Sequence, residues 1–217
     1  MKVVEIFNSI EGEGKRAGLP ATFVRLFGCN LRCSYCDSMY AVTGDEFKEM
    51  SVQQVVETVE KFGCPNVTVT GGEPLIHEDI QDLLAQLVDA GYWVNVETNG
   101  SVPLDFRTVG DKLFYTVDYK TSSSGMKKAM HIETFDSMLE EDVLKFVVGS
   151  EQDLQDSLDM YNFFCDRHNK PIVYLSPVFG NIEPKRLVEF ILEKELWDWK
   201  VQLQLHKFIW DPNMKGV

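Results

Sequence analysis

Apolar and polar positions follow two rhythms along the chain. Short apolar runs are separated by longer stretches at a helical period, the pattern of an α/β fold with mainly parallel strands. Ala21 to Phe27 reads as a first strand. Ser51 to Phe62 reads as a helix with Val52, Val55, Val56 and Val59 on one face, and Ser51 and Gln54 supply a capping box at its start. Val67 to Thr70 is a second strand that runs into Gly71-Gly72-Glu73-Pro74. Ile80, Leu83, Leu84, Leu87 and Val88 then make a helix face that Gly91 closes. Trp93 to Thr98, Leu113 to Asp118, Val143 to Val148 and Ile172 to Leu175 read as strands, with helices near residues 151 to 166 and 184 to 196. Pro184 suits the first turn of the latter. The cleanest alternation comes last, with Val201, Leu203 and Leu205 on one face and Gln202, Gln204 and His206 on the other. Parallel strands with covering helices predict a full or partial barrel, in which chemistry sits where strands give way to loops at their C-terminal ends.

The 217 residues are 44% apolar and 12% aromatic, enough for the core of one domain, and contain no repeat, low-complexity tract or long linker. The 21 Lys and Arg stand against 34 Asp and Glu, a net charge of −13. A surface of that sign repels nucleic acid and anionic membranes unless a local patch overrides it. The N-terminus carries charge where a signal peptide needs an apolar run, and no segment approaches the roughly 18 apolar residues of a membrane span. A soluble, cytoplasmic protein is expected.

Three of the five cysteines, Cys29, Cys33 and Cys36, fall within eight residues as C-x3-C-x2-C on a loop preceded by Gly28. That is not a disulfide framework. Three thiolates so spaced suit three irons of a [4Fe–4S] cube, leaving the fourth open to an exogenous ligand. Zinc is the alternative, with His77, His131, His168 or His206 as fourth ligand. Cys64 and Cys165 read as small core residues.

The cysteine spacing, with Tyr35 before the last Cys, resembles the radical S-adenosylmethionine (SAM) superfamily, and Gly71-Gly72-Glu73-Pro74 is similar to its segment contacting the methionyl amine. Within the superfamily the chain looks most like the 7-carboxy-7-deazaguanine synthases, from about Val4 to Val217. The resemblance implies a partial (βα)6-type barrel in a single domain, residues 1–217. It implies a [4Fe–4S] cluster on Cys29, Cys33 and Cys36, with SAM contacts from Tyr35, Asp37, Gly71, Gly72, Glu73, Glu97, Asp118, Tyr119 and Lys120. Glu97 would take the ribose hydroxyls, and Asp118-Tyr119-Lys120 stands where the family usually has Ser-Pro-Lys. A Mg²⁺ would be held by Ser38.

The substrate would be met by Ile10, Glu11, Gly12, Glu13, Arg25, Thr70, His206 and Val217. Glu11 stands where the family commonly has Gln. Arg25 matches an arginine that takes a pterin carboxylate, a task suited to its planar fork; Glu11 and Glu13 offer acceptors for a pterin N–H edge, and Gly12 lets backbone approach a flat ring. His206 and the terminal carboxylate would reach the substrate from the chain end, so extensions beyond Val217 should harm activity.

The implied reaction begins with reductive cleavage of SAM to a 5′-deoxyadenosyl radical. The radical takes hydrogen from C6 of 6-carboxy-5,6,7,8-tetrahydropterin, and ring contraction with loss of ammonia gives 7-carboxy-7-deazaguanine. The implied partners are an electron donor such as flavodoxin or ferredoxin, met by a basic patch of Lys15, Arg16 and Arg32, and a second subunit in a homodimer. A glycyl-radical activase and a zinc-stabilised binding module are the alternatives.

Overall fold

The computed structural model describes residues 1–104, 112–164, 170–212 and 214–217. Its strands are β1 (Lys2–Ile10), β2 (Pro20–Leu26), β3 (Lys48–Glu49), β4 (Asn66–Gly71), β5 (Trp93–Thr98), β6 (Leu113–Tyr119), β7 (Val143–Val148), β8 (Ile172–Pro177) and β9 (Trp199–Val201). The helices are α1 (Val52–Phe62), α2 (Ile80–Asp89), α3 (Ile132–Asp136), α4 (Glu151–Phe164), α5 (Pro184–Glu193) and α6 (His206–Ile209). One sheet holds the strands in the order β3-β1-β2-β4-β5-β6-β7-β8-β9. From β2 through β9 every neighbouring pair is parallel. β1 runs antiparallel to β2, and β3 antiparallel to β1. Among the described residues the two edge strands, β3 and β9, do not pair with each other, so the barrel is partial.

Strand alternation sets the two faces of this sheet. Val67, Val69, Val94, Val96, Val117, Leu144, Phe146, Val173 and Leu175 join one buried cluster with Val55 and Val59 of α1, Leu83, Leu84 and Leu87 of α2, Leu154 of α4 and Leu187 and Phe190 of α5. The positions between them are mostly polar, namely Thr68, Thr70, Asn95, Glu97, Thr116, Asp118, Lys145 and Ser176, with Val147 and Tyr174 also on this face. Register keeps these on a common face, with Thr68 beside Asn95, Glu97 beside Thr116, Asp118 beside Lys145 and Val147 beside Ser176. Helices therefore cover the apolar face, and the barrel interior is mostly polar.

The helix α1 is capped as its sequence predicts: Gln54 N–H donates to Ser51 Oγ at 3.2 Å, and Ser51 N–H to Gln54 Oε1 at 2.9 Å. Gly91 follows α2 at φ +95°, and Pro184 opens α5. The helix expected near 151–166 runs Glu151–Phe164, while Cys165 and Asp166, its last two expected positions, and His168 lie outside the described residues.

Three expectations are corrected. β1 goes unread in the sequence because only Val3 of its nine residues is buried, which leaves no alternation to see. The helix expected over 184–196 ends at Glu193. The last strand stops at Val201. Beyond it the alternation belongs to a segment that docks on the 12–14 loop: Gly14 N–H donates to Gln202 Oε1 at 2.8 Å, and Leu205 N–H to the Gly12 carbonyl at 3.1 Å. Bonds to a loop take the place of a strand ladder, and His206 opens α6.

Candidate active site

A cavity of about 470 Å³ opens at the C-terminal ends of the parallel strands. Cys29, Cys33 and Cys36 line it, on the loop that follows β2, and all three thiols are partly exposed. Cys29 Sγ accepts from Leu31 N–H at 3.4 Å and from Asn99 Nδ2 at 3.5 Å, the kind of donation that tunes a cluster thiolate. Gly71-Gly72-Glu73 packs against this loop through backbone alone. Gly72 N–H donates to Leu26 O at 3.1 Å and Glu73 N–H to Gly28 O at 2.8 Å. A Cβ on Gly72 would stand 2.1 Å from the Gly28 oxygen and 2.9 Å from Cys29 Cβ. Only glycine permits this cradle.

The strand ends supply the cavity's charges. Thr70 Oγ1 donates to Glu97 Oε2 at 2.7 Å. Burial raises the Glu97 carboxyl to about 7; Lys145 opposes the rise, and Glu11 and Glu13 add to it. Asp118 sits between two ammonium groups, Lys120 at 2.7 Å and Lys145 at 3.1 Å, and Lys145 also reaches Glu13 at 3.2 Å. The Lys145 ion pairs outweigh the burial that would lower its pKa, holding it well above its ordinary value.

The 10–13 segment and the chain end close the other side. Ile10, Gly12, Glu13, His206 and Val217 all line the cavity, as do Arg25, Tyr35, Asp37 and Ser38. A Cβ on Gly12 would stand 2.2 Å from His206 Nδ1, so Gly12 makes room for the imidazole. Burial lowers the His206 pKa, with Glu13 pulling the other way. The Lys207 ammonium pairs with Asp37 Oδ2 at 2.9 Å, and Ser38 Oγ donates to Asp37 Oδ1 at 3.1 Å. The chain end is thereby tied to the cysteine loop.

Three residues expected at the site turn their side chains elsewhere, while the Glu73 backbone stays in the cradle beside the cysteine loop. Glu11 is 1% exposed and faces the opposite end of the barrel, where it pairs with Arg16 Nη2 at 2.7 Å and accepts from Thr68 Oγ1. The Glu73 carboxylate accepts from Leu75 N–H, Thr98 Oγ1 and Asn99 N–H at 2.6 to 3.0 Å, stitching two strand-end loops together. Tyr119 packs on the outer face, edge-on to Phe135 and Phe146. The expected patch of Lys15, Arg16 and Arg32 does not form. Arg16 bonds the Trp93 and Val67 carbonyls and Lys15 the Glu141 carbonyl at the barrel floor, while Arg32 bonds the Cys29 and Leu31 carbonyls at the mouth.

Sequence reasoning missed Lys145, Asn99 and Lys207. Lys145 carried a readable signal: a lone charge inside the apolar run Val143–Val148 is seldom buried without partners.

The donors suit an iron–sulfur cube with an exogenous ligand. Three thiols open on one cavity, soft ligands once deprotonated by a metal, with two N–H donors at Cys29 Sγ and the glycine cradle beside them. Among the described residues no three His, Cys, Asp or Glu side chains converge to hold a single ion.

Fold and cysteine loop together define a class, the radical SAM proteins, and the profile of the Radical SAM superfamily matches residues 24–191. Over 219 aligned residues the chain is 41% identical to the 7-carboxy-7-deazaguanine synthase of Clostridium acetobutylicum, covering 100% of this chain and 99% of the relative. It is 38% identical to the 7-carboxy-7-deazaguanine synthase of Methanospirillum hungatei, over 98% and 86% of the two chains. The chain belongs to the 7-carboxy-7-deazaguanine synthase family of that superfamily. The crystal structure of QueE from Escherichia coli shares the fold, with a TM-score of 0.75 at 22% identity over 93% of this chain and 92% of that one.

Proposed function

We infer that this chain is a 7-carboxy-7-deazaguanine synthase, a radical SAM lyase of 7-deazapurine biosynthesis that acts on 6-carboxy-5,6,7,8-tetrahydropterin. One observation carries the reading beyond the superfamily. The cavity that opens on the cysteines is also lined by Ile10, Gly12 and Glu13 and by His206, Lys207, Pro212 and Met214 to Val217, all outside the superfamily match at 24–191.

Cys29, Cys33 and Cys36 would hold a [4Fe–4S] cluster, and the Gly71-Gly72-Glu73 backbone would receive SAM. Bound there, the pair supplies hydrogen-atom abstraction at C6 of the pterin. The chain's own residues orient and shield the substrate. The Arg25 guanidinium takes the pterin carboxylate, while Glu13, held by Lys145, accepts from the ring's N–H edge. Thr70, which holds Glu97, and His206 flank the ring. Glu97 would receive the ribose hydroxyls of SAM, and Lys120, neutralised by Asp118, would help to hold it. The Ser38 hydroxyl, on the cavity wall, is a hard oxygen suited to Mg²⁺. The protein works with a one-electron donor such as flavodoxin or ferredoxin, as a cytoplasmic homodimer. Among the described residues no helix is long and apolar enough to cross a membrane.

The test is anaerobic turnover of reconstituted protein with dithionite, SAM, Mg²⁺ and the tetrahydropterin, read by mass. 7-Carboxy-7-deazaguanine should appear and should vanish in Cys33→Ala. Formation of 5′-deoxyadenosine without the deazaguanine would keep the superfamily chemistry and remove the substrate.

A further inference from the structure

Arg25 is held from behind. A bulge in β1 between Val3 and Glu5 shifts the register with β2, so that Glu5 stands opposite Arg25 where an unbroken ladder would place it opposite Val24. Both side chains then leave one face of the sheet, at cross-strand contact distance. Arg25 Nε–H donates to Glu5 Oε1 at 2.8 Å, and Tyr40 Oη donates to the same oxygen at 2.9 Å. Arg25 and Tyr40 line the cavity, and Glu5 lies behind them.

A guanidinium grips a carboxylate either by its side edge, Nε with one Nη, or by its end, the two Nη together. Glu5 occupies the Nε–H, which leaves the end pair for a ligand. The Glu5 charge alone would offset the attraction of Arg25 for an anion. The Tyr40 hydroxyl draws on that charge, and the Lys215 ammonium lies 4.3 Å from the Tyr40 ring centroid on the same wall. The assembly keeps Arg25 oriented and the wall cationic.

We propose that Glu5, braced by Tyr40, is a positioning residue that presents Arg25 end-on to the pterin carboxylate and so selects carboxylated over uncarboxylated pterins. This rests on the role given to Arg25 above. Glu5 needs to be an acceptor for Nε–H, not a charge, and this separates orientation from electrostatics.

The test is equilibrium dialysis of 6-carboxypterin and of pterin, which lacks the carboxylate, against reconstituted protein with SAM. Glu5→Ala should weaken 6-carboxypterin about tenfold and leave pterin within about twofold. Glu5→Gln keeps the acceptor and should bind both within about twofold of the parent; Tyr40→Phe should weaken 6-carboxypterin about threefold. Equal weakening of both pterins by Glu5→Ala and Tyr40→Phe would overturn the proposal in favour of general support of the cavity wall. Arg25→Ala separates the two levels. If it binds both pterins like the parent, the role of Arg25 falls and the proposal with it. If it loses the discrimination while Glu5→Ala and Tyr40→Phe keep it, the proposal alone falls.

Discussion

At the scale of single residues, the site is a set of charges that only their neighbours make tolerable. Glu97 is the clearest, a carboxyl raised to about 7 by burial among other acids. A pKa raised above its unfolded value means that the folded chain binds more protons than the unfolded chain between about pH 4.5 and 7. The stability Glu97 contributes is complete below that window and is lost as the pH rises through it. Glu97→Gln removes the titration and keeps the shape. Relative to the parent, it should be equally stable near pH 4.5 and gain on the order of 1–2 kcal/mol by pH 7, discounting for screening in the open cavity. Thermal melts across that range check it; a constant difference would place the raised acid elsewhere.

At the scale of elements, the segment from α6 to Val217 makes one wall of the cavity with little regular structure of its own. One tie to the cysteine loop is the Lys207–Asp37 pair at 2.9 Å, with Asp37 half exposed. Such pairs contribute about 1 kcal/mol or less to global stability. Lys207→Ala should therefore leave the melting temperature within about 2 °C, since 1 kcal/mol shifts a domain of this size by roughly 2–4 °C. It should raise KM for the pterin about threefold to tenfold, because the wall loses its anchor. The parent's KM should climb with salt toward the variant's as the pair is screened. Steady-state kinetics at low and high salt check both; a variant with unchanged KM would mean that the wall is held by packing alone.

At the scale of the whole molecule, the barrel has a working mouth and a sealed floor. Arg16 seals it: its guanidinium bonds Glu11, Thr68 and the Val67 and Trp93 carbonyls where strands begin, beside Gln202 and its two bonds to Gly14. Removing one partner of a buried pair leaves an uncompensated charge, so Arg16→Ala should cost about 3–5 kcal/mol. Glu11→Gln added to it should restore a large part, a coupling of about 1–3 kcal/mol. Denaturant unfolding of the four proteins in the cycle checks it, and additive losses would mean that Arg16 acts by packing.

Much of this molecule is written locally. Strand cores from Ala21 to Leu175, the capped helix after Ser51 and the cysteine spacing depend on neighbours in sequence, so alternation, capping and motif reveal them. A partner far away in sequence leaves no local trace. The Glu11 side chain reads as a pterin contact until Arg16 and Thr68 claim it at the floor, and the Glu73 carboxylate goes to Thr98 and Asn99 while its backbone stays in the cradle. The last strand reads as the cleanest of all until the Gly12 and Gly14 backbone takes its hydrogen bonds. β1 shows no alternation, yet its bulge carries Glu5 to Arg25. By itself the sequence determined the α/β class, the run of parallel strands β2 and β4 to β8 and a cysteine set suited to an iron–sulfur cluster, because local propensity and ligand type decide those. Tertiary structure alone decided which charges face the cavity and which close the floor, because burial makes an ion costly unless a distant partner meets it.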